Sequence, residues 1–166
     1  MSNNKLSANS LALIALTNEY CQAIEQAAQM NRDALVARML QLLPRIYITV
    51  SDIDQEYGYS DYYIDGALDE MAYDQARDML AAIMADDDVY LEVFLDDMKY
   101  SDTPIAVTVS ENLADLYQEF YNFINAVRDV PTEVQTELVG IEKDNFVQYW
   151  GQTLCNVLRA LNSIYY

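Results

Sequence analysis

Apolar residues recur three and four apart along most of the chain, which is the spacing of a buried helix face rather than the alternation of a strand. Leu13, Leu16, Thr17, Tyr20, Ala23, Ile24 and Ala27 share one face of a first helix. Ser10 is its expected cap, and it runs to about Gln29. Asn18, Gln22, Glu25 and Gln29 share the other face. Asn31 caps a second helix carrying Leu35, Met39, Leu42 and Leu43. Pro44 is expected to end or kink it, because proline lacks the N–H and crowds the preceding turn. Arg45 to Val50 reads equally as a continuation or as extended chain, given its β-branched residues. After a loop over 51–66, a third helix is expected from about Ala67 to Ala85, closed by Asp86, Asp87 and Asp88. Carboxylates there oppose the helix dipole and act as a stop signal.

Ser110 is the expected cap of a fourth helix with Leu113, Leu116, Tyr117, Phe120, Ile124 and Val127 as its stripe and Asp115, Glu119 and Asn122 facing away. Thr132 and Gln135 have the spacing of a capping box that opens the last quarter of the chain. There Phe146, Trp150, Leu154, Val157, Leu161 and Ile164 fall within one arc. The opposite arc is written in amides and one base: Gln148, Gln152, Asn156, Arg159 and Ser163. Solvent faces are usually written with Glu and Lys, so this helix is expected at the centre of the molecule with its amide face covered. The only strand-like runs are Tyr90 to Leu95 and Ile105 to Val109, the one place for a short β-hairpin. The fold expected is all-α: residues 1–166 as a single-domain bundle of about five helices, with room for that hairpin.

Charge changes the picture more than composition does. The net charge is −18, and residues 52–102 carry −14 of it, with sixteen acids against Arg77 and Lys99. Such a chain does not gather nucleic acid by neutralising phosphates, and anionic membrane surfaces repel it. A basic protein is the partner it suits. The run Leu11 to Leu16 is too short to span a bilayer and continues into a periodic helix, so a cytoplasmic location is expected. Cys21 and Cys155 lie in separate helices without metal-ligand spacing, and the chain has no His. Both cysteines read as small buried hydrophobes.

Three stretches together resemble a bacterial family, the one labelled domain of unknown function 5063. They are Leu43-Pro44-Arg45-Ile46-Tyr47, Ser110 to Tyr117, and Tyr149-Trp150-Gly151 followed by Leu158-Arg159-Ala160-Leu161. Members of that family often carry His beside the Trp-Gly pair and after the Arg-Ala-Leu run. This chain has Tyr149, Thr153 and Asn162 there, so imidazole chemistry is not implied for it. The resemblance implies a compact, mostly helical cytoplasmic protein and supplies no reaction.

Candidate chemistry is sparse. Asp52, Asp54 and Glu56 begin like a calcium loop, but Gly58 falls one place late and Tyr63 stands where a bidentate Glu belongs. No metal site and no cofactor is assigned. Without His there is no ordinary proton shuttle, and no nucleophile has an evident base, so no catalytic residue is assigned. Tyr57, Tyr59, Tyr62 and Tyr63, interleaved with Gly, Ser and Asp, have the composition of a contact surface. The leading expectation is therefore a non-enzymatic acidic protein-interaction module. One rival is a small-molecule or metal-dependent activity in an interhelical pocket involving Arg45, Tyr47, Trp150 and Arg159. Another is an acidic decoy that occupies a nucleic-acid-binding protein.

Overall fold

The computed structural model describes residues 5–54, 60–92 and 104–166. Helix α1 (Ala8–Glu25) turns through a short 3₁₀ segment, Ala27–Gln29, into α2 (Arg32–Ser51). Helix α3 (Glu70–Met84) leads to strand β1 (Val89–Glu92), which pairs antiparallel with β2 (Ile105–Thr108) in the register Val89 to Thr108 and Glu92 to Ile105. Then come α4 (Val109–Val127), α5 (Thr132–Asn145), a π-helical turn over Phe146–Trp150, and α6 (Gly151–Tyr165). With α5, the π turn and α6 taken as one rod, five helical rods and one small hairpin make up the described residues. This is the expected all-α bundle.

The ends of the elements depart from expectation in instructive ways. Ser7, not Ser10, caps α1 by accepting from the Ser10 N–H, and Ser10 is buried in the first turn. Thr108, not Ser110, caps α4, accepting from Glu111 at 3.2 Å. The box at Thr132 does not form. Pro131 takes the cap position, and the Gln135 amide donates instead to the Val127 carbonyl at the end of α4, at 2.8 Å. Asn31 does cap α2. Pro44 sits inside α2 without ending it, and Arg45 to Val50 are helical. Burial of Leu42, Leu43, Ile46 and Val50 outweighs the β-branched propensities there.

Helix α4 is the hub, touching α1, α3, α5 and α6, while α6 lies against α2 and α4. Leu113, Leu116, Phe120 and Phe123 of α4 are fully buried. The Tyr20 ring meets Phe120 edge-on at 5.1 Å, and its hydroxyl donates to the Leu113 carbonyl at 2.8 Å. This corrects the expectation that the C-terminal helix is the centre. Its apolar arc is buried, but Gln148, Gln152, Arg159 and Ser163 are exposed, and Asn156 alone of that face is buried. An amide face is wet without adding negative charge, which suits a neighbourhood already rich in carboxylates. Cys155 is likewise exposed, while Cys21 is buried, and both thiols are unpaired.

Asp88 does more than stop a helix. It is buried, its carboxylate accepts from the Ser110 N–H at 2.8 Å and from the Ser110 hydroxyl at 2.7 Å, and its carbonyl accepts from the Val109 N–H at 2.8 Å. One residue thus ties the end of α3 to the start of α4. Asp87 pairs with Arg32. Asn122, expected on an outward face, accepts from the N–H groups of Ala67 and Leu68 at 2.8 and 3.0 Å and fixes the entry to α3.

Candidate functional site

The densest chemistry lies where α4, β1 and the π turn meet. A π turn inserts an extra residue into the helical ladder and is frequent at functional sites. Here the Gly151 N–H donates to the Phe146 carbonyl, the i to i−5 bond that defines the turn. A β-carbon at position 151 would stand 2.6 Å from that same oxygen and 2.9 Å from the Phe146 ring. The glycine is therefore a steric condition of the turn. The turn carries Trp150 inward, where its ring meets Phe120 at 5.0 Å and Phe146 at 4.9 Å, both edge-on.

Outside this aromatic cluster is a cavity of about 450 Å³. Its walls hold Glu92 of β1, Asp115 and Glu119 of α4, Trp150 and Tyr149 of the π turn, and Gln152 of α6. Three carboxylates and no Lys or Arg line it among the described residues. Asp115 and Glu119 are one turn apart on the same helix face. Each carboxylate is held from behind: Asn156 donates to Glu92 at 2.8 Å, Tyr73 to Asp115 at 2.6 Å, and Asn145 to Glu119 at 3.1 Å. The Trp150 indole N–H, though 4% exposed, has no hydrogen-bond partner.

Behind Glu119 lies Glu142 of α5, fully buried, with neither carboxylate oxygen accepting a hydrogen bond. Burial pushes its carboxyl well above the ordinary Glu range, and the facing Glu119 charge pushes the same way; Asn145 and Trp150 pull weakly against them. Glu119 is raised by desolvation too, with its hydrogen bonds to Glu142 and Asn145 opposing. Desolvation also raises Asp115, helped by Glu111 and opposed by the Tyr73 hydroxyl. A carboxyl out of water that faces a second carboxyl does not ionise cheaply, which favours a shared proton on the pair.

The structure scatters the residues the sequence brought forward. Trp150 lines this cavity. Arg159 lines a different one, of about 500 Å³, with Arg32, Asp86 and Asp87, and donates to the Leu91 carbonyl at 2.7 Å. Tyr47 packs edge-on against Phe146 at 5.2 Å, and Arg45 is exposed on α2. The four are not gathered in one pocket. Tyr62 and Tyr63 are 46% and 73% exposed, while Tyr57, Tyr59 and Glu56 lie outside the described residues. Asp52 caps the end of α2. Among the described residues no three metal-ligating side chains are grouped to hold an ion, and no helix is long and apolar enough to cross a membrane. The buried Glu142 was missed because periodicity marks apolar positions only. The signal was there in outline: Glu142 is four residues from both Leu138 and Phe146, on a buried arc.

The arrangement is that of a helical-bundle protein with an acidic, aromatic-walled cavity. The chain belongs to the family described as domain of unknown function (DUF5063), which it matches over residues 4–166. It is similar in fold to the crystal structure of protein BF1032 from Bacteroides fragilis, at 28% identity and a TM-score of 0.81, covering 96% of this chain and 94% of that one. None of the curated proteins matches it.

Proposed function

We propose that the protein binds a small organic cation, an alkyl amine with two or more ammonium groups, in the cavity at the π turn. The observation that carries this reading is a wall of three carboxylates with no Lys or Arg among the described residues, beside the rings of Trp150 and Tyr149. An ammonium has three donors and no acceptor, which matches walls that offer mainly acceptors. Trp150 and Tyr149 add aromatic faces of the kind that attract cations by about 0.5–2 kcal/mol each. Trp150 is the sole tryptophan, so its emission reports the cavity directly. Titration with spermidine should change that emission saturably, and Glu119→Gln or Asp115→Asn should weaken the response at least tenfold. No saturable change with spermidine, or an equal response to a neutral polyol of similar length, would overturn the reading.

A second reading is an acidic protein-interaction module for a basic partner, favoured by the exposure of Tyr62 and Tyr63 beside the acid-rich middle of the chain. It requires capture of a basic protein that salt disrupts and that Tyr62→Ala with Tyr63→Ala abolishes. We also infer a cytoplasmic, bacterial setting; two unpaired thiols suit a reducing compartment.

A further inference from the structure

We propose that the cavity exchanges its cation for a proton held between Glu119 and Glu142, so that ligand uptake and proton release are a single event. This rests on the amine-binding reading above.

The geometry supplies two layers of carboxyl. Glu119 is at the cavity wall, and Glu142 lies directly behind it with no solvent exposure. Neither Glu142 oxygen accepts a well-formed hydrogen bond: Asn145 gives its amide to Glu119, and the Trp150 indole N–H, near enough to act on Glu142, is not aligned to bond it. A carboxylate cannot donate to a carboxylate. One proton between the two groups supplies a donor and lets Glu119 and Glu142 hydrogen-bond each other.

The charges around the pair do not provide an alternative. On α4, Asp115 stands one turn before Glu119, with Glu111 beyond it, and Glu92 faces the cavity from β1. On α5, Asp144 is engaged by Gln148, and Lys143 is turned away to the Val50 and Ser51 carbonyls at 2.9 and 2.8 Å. The π turn contributes Tyr149 and Trp150, neither of them cationic. All the anionic neighbours thus favour the protonated pair, and the compensating positive charge must come from outside. An ammonium in the cavity reaches Glu119 first and supplies it. Ionisation of the pair is then favourable, and the proton passes to solvent. One proton leaves as the polyamine enters, and the ligand's remaining ammonium charge is left to the other carboxylates of the wall.

Isothermal titration of the intact protein with spermidine, at one pH in two buffers of different ionisation enthalpy, counts the protons. The expected result is close to one proton released per spermidine bound at mildly acidic pH. Affinity should rise by up to tenfold per pH unit while the pair is protonated. Glu142→Gln, which can donate to Glu119 permanently, should bring the release near zero. Saturable binding by the wild-type protein without proton release, or release undiminished in Glu142→Gln, overturns the exchange while leaving amine binding intact. Absence of spermidine binding across the pH range of the folded protein overturns both. The wild-type count decides the matter even if the variant fails to fold.

Discussion

Gly151→Ala tests the steric basis of the π turn. In an ordinary helix interior this substitution is favourable by about 0.5–1 kcal/mol, because alanine restricts the unfolded chain. Here the new methyl would lie 2.6 Å from the Phe146 carbonyl oxygen and 2.9 Å from a ring carbon. The first of these neighbours is backbone that already accepts the Gly151 N–H, so it cannot swing aside as a side chain would. The Phe146 ring is itself held between Tyr47 and Trp150. Overpacking of this kind costs about 1–3 kcal/mol, and the backbone contact puts it in the upper part of that range. The net loss should be about 1–2 kcal/mol. For a chain of this length that is a fall in Tm of about 2–8 °C. Urea unfolding, followed by Trp150 emission and by far-ultraviolet circular dichroism, measures it. A Gly151→Ala protein as stable as the wild type, with the π turn intact in its crystal structure, would show that the missing β-carbon is not what permits the turn.

Three further outcomes follow from the same structure. The native pair binds a proton that an unfolded Glu142 would release above the ordinary Glu range, so its stabilisation is complete below that range and is lost as pH rises through the raised native value. Glu142→Gln removes this titration and should gain on the wild type as pH rises, with urea midpoints at several pH values as the measure; parallel curves would refute the assignment. Asp88→Ala leaves two buried Ser110 donors unpaired and should cost about 1–2 kcal/mol, read as a lower urea midpoint. Ala85 holds φ 50° and ψ −122°, a conformation that costs a residue with a β-carbon about 1–3 kcal/mol. Ala85→Gly should therefore stabilise by about 1 kcal/mol after the extra unfolded-state entropy is subtracted, and a drop in midpoint would contradict this.

The bundle was legible because its information is periodic. Phe120, Trp150, Leu154 and Leu161 announce their burial through spacing, and Asn31 announces a cap through its side chain. What spacing cannot carry is competition between donors. Ser10 and Ser110 are sound caps in isolation, yet Ser7 and Thr108 take those places because the turns begin earlier. Gln135 finds the Val127 carbonyl across a connection rather than its own first turn. The amide face of α6 was misplaced for a related reason: absence of charge reads as burial when exposed amides beside a carboxylate-lined cavity have the same composition. The cavity itself depends on Glu92, Glu119 and Trp150, which come from three separate elements. Only the pairing of β1 with β2 and the packing of α4 against the terminal rod brings them to one place.

The terminal rod has one further implication, which concerns insertions and deletions. Each residue in an α-helix turns its successor by about 100°, and the wider turn over Phe146–Trp150 absorbs one surplus residue without that rotation. Excising a single residue there would let an unbroken α-helix form. The chain beyond it would keep its facing, whereas excising one residue between the turn and Leu154 would bring it round by about 100° and offer Cys155 to the surfaces of α2 and α4 that now receive Leu154. Composition would be nearly unchanged, and each half would keep its own amphipathic pattern. The two halves would no longer agree on which way the interior lies.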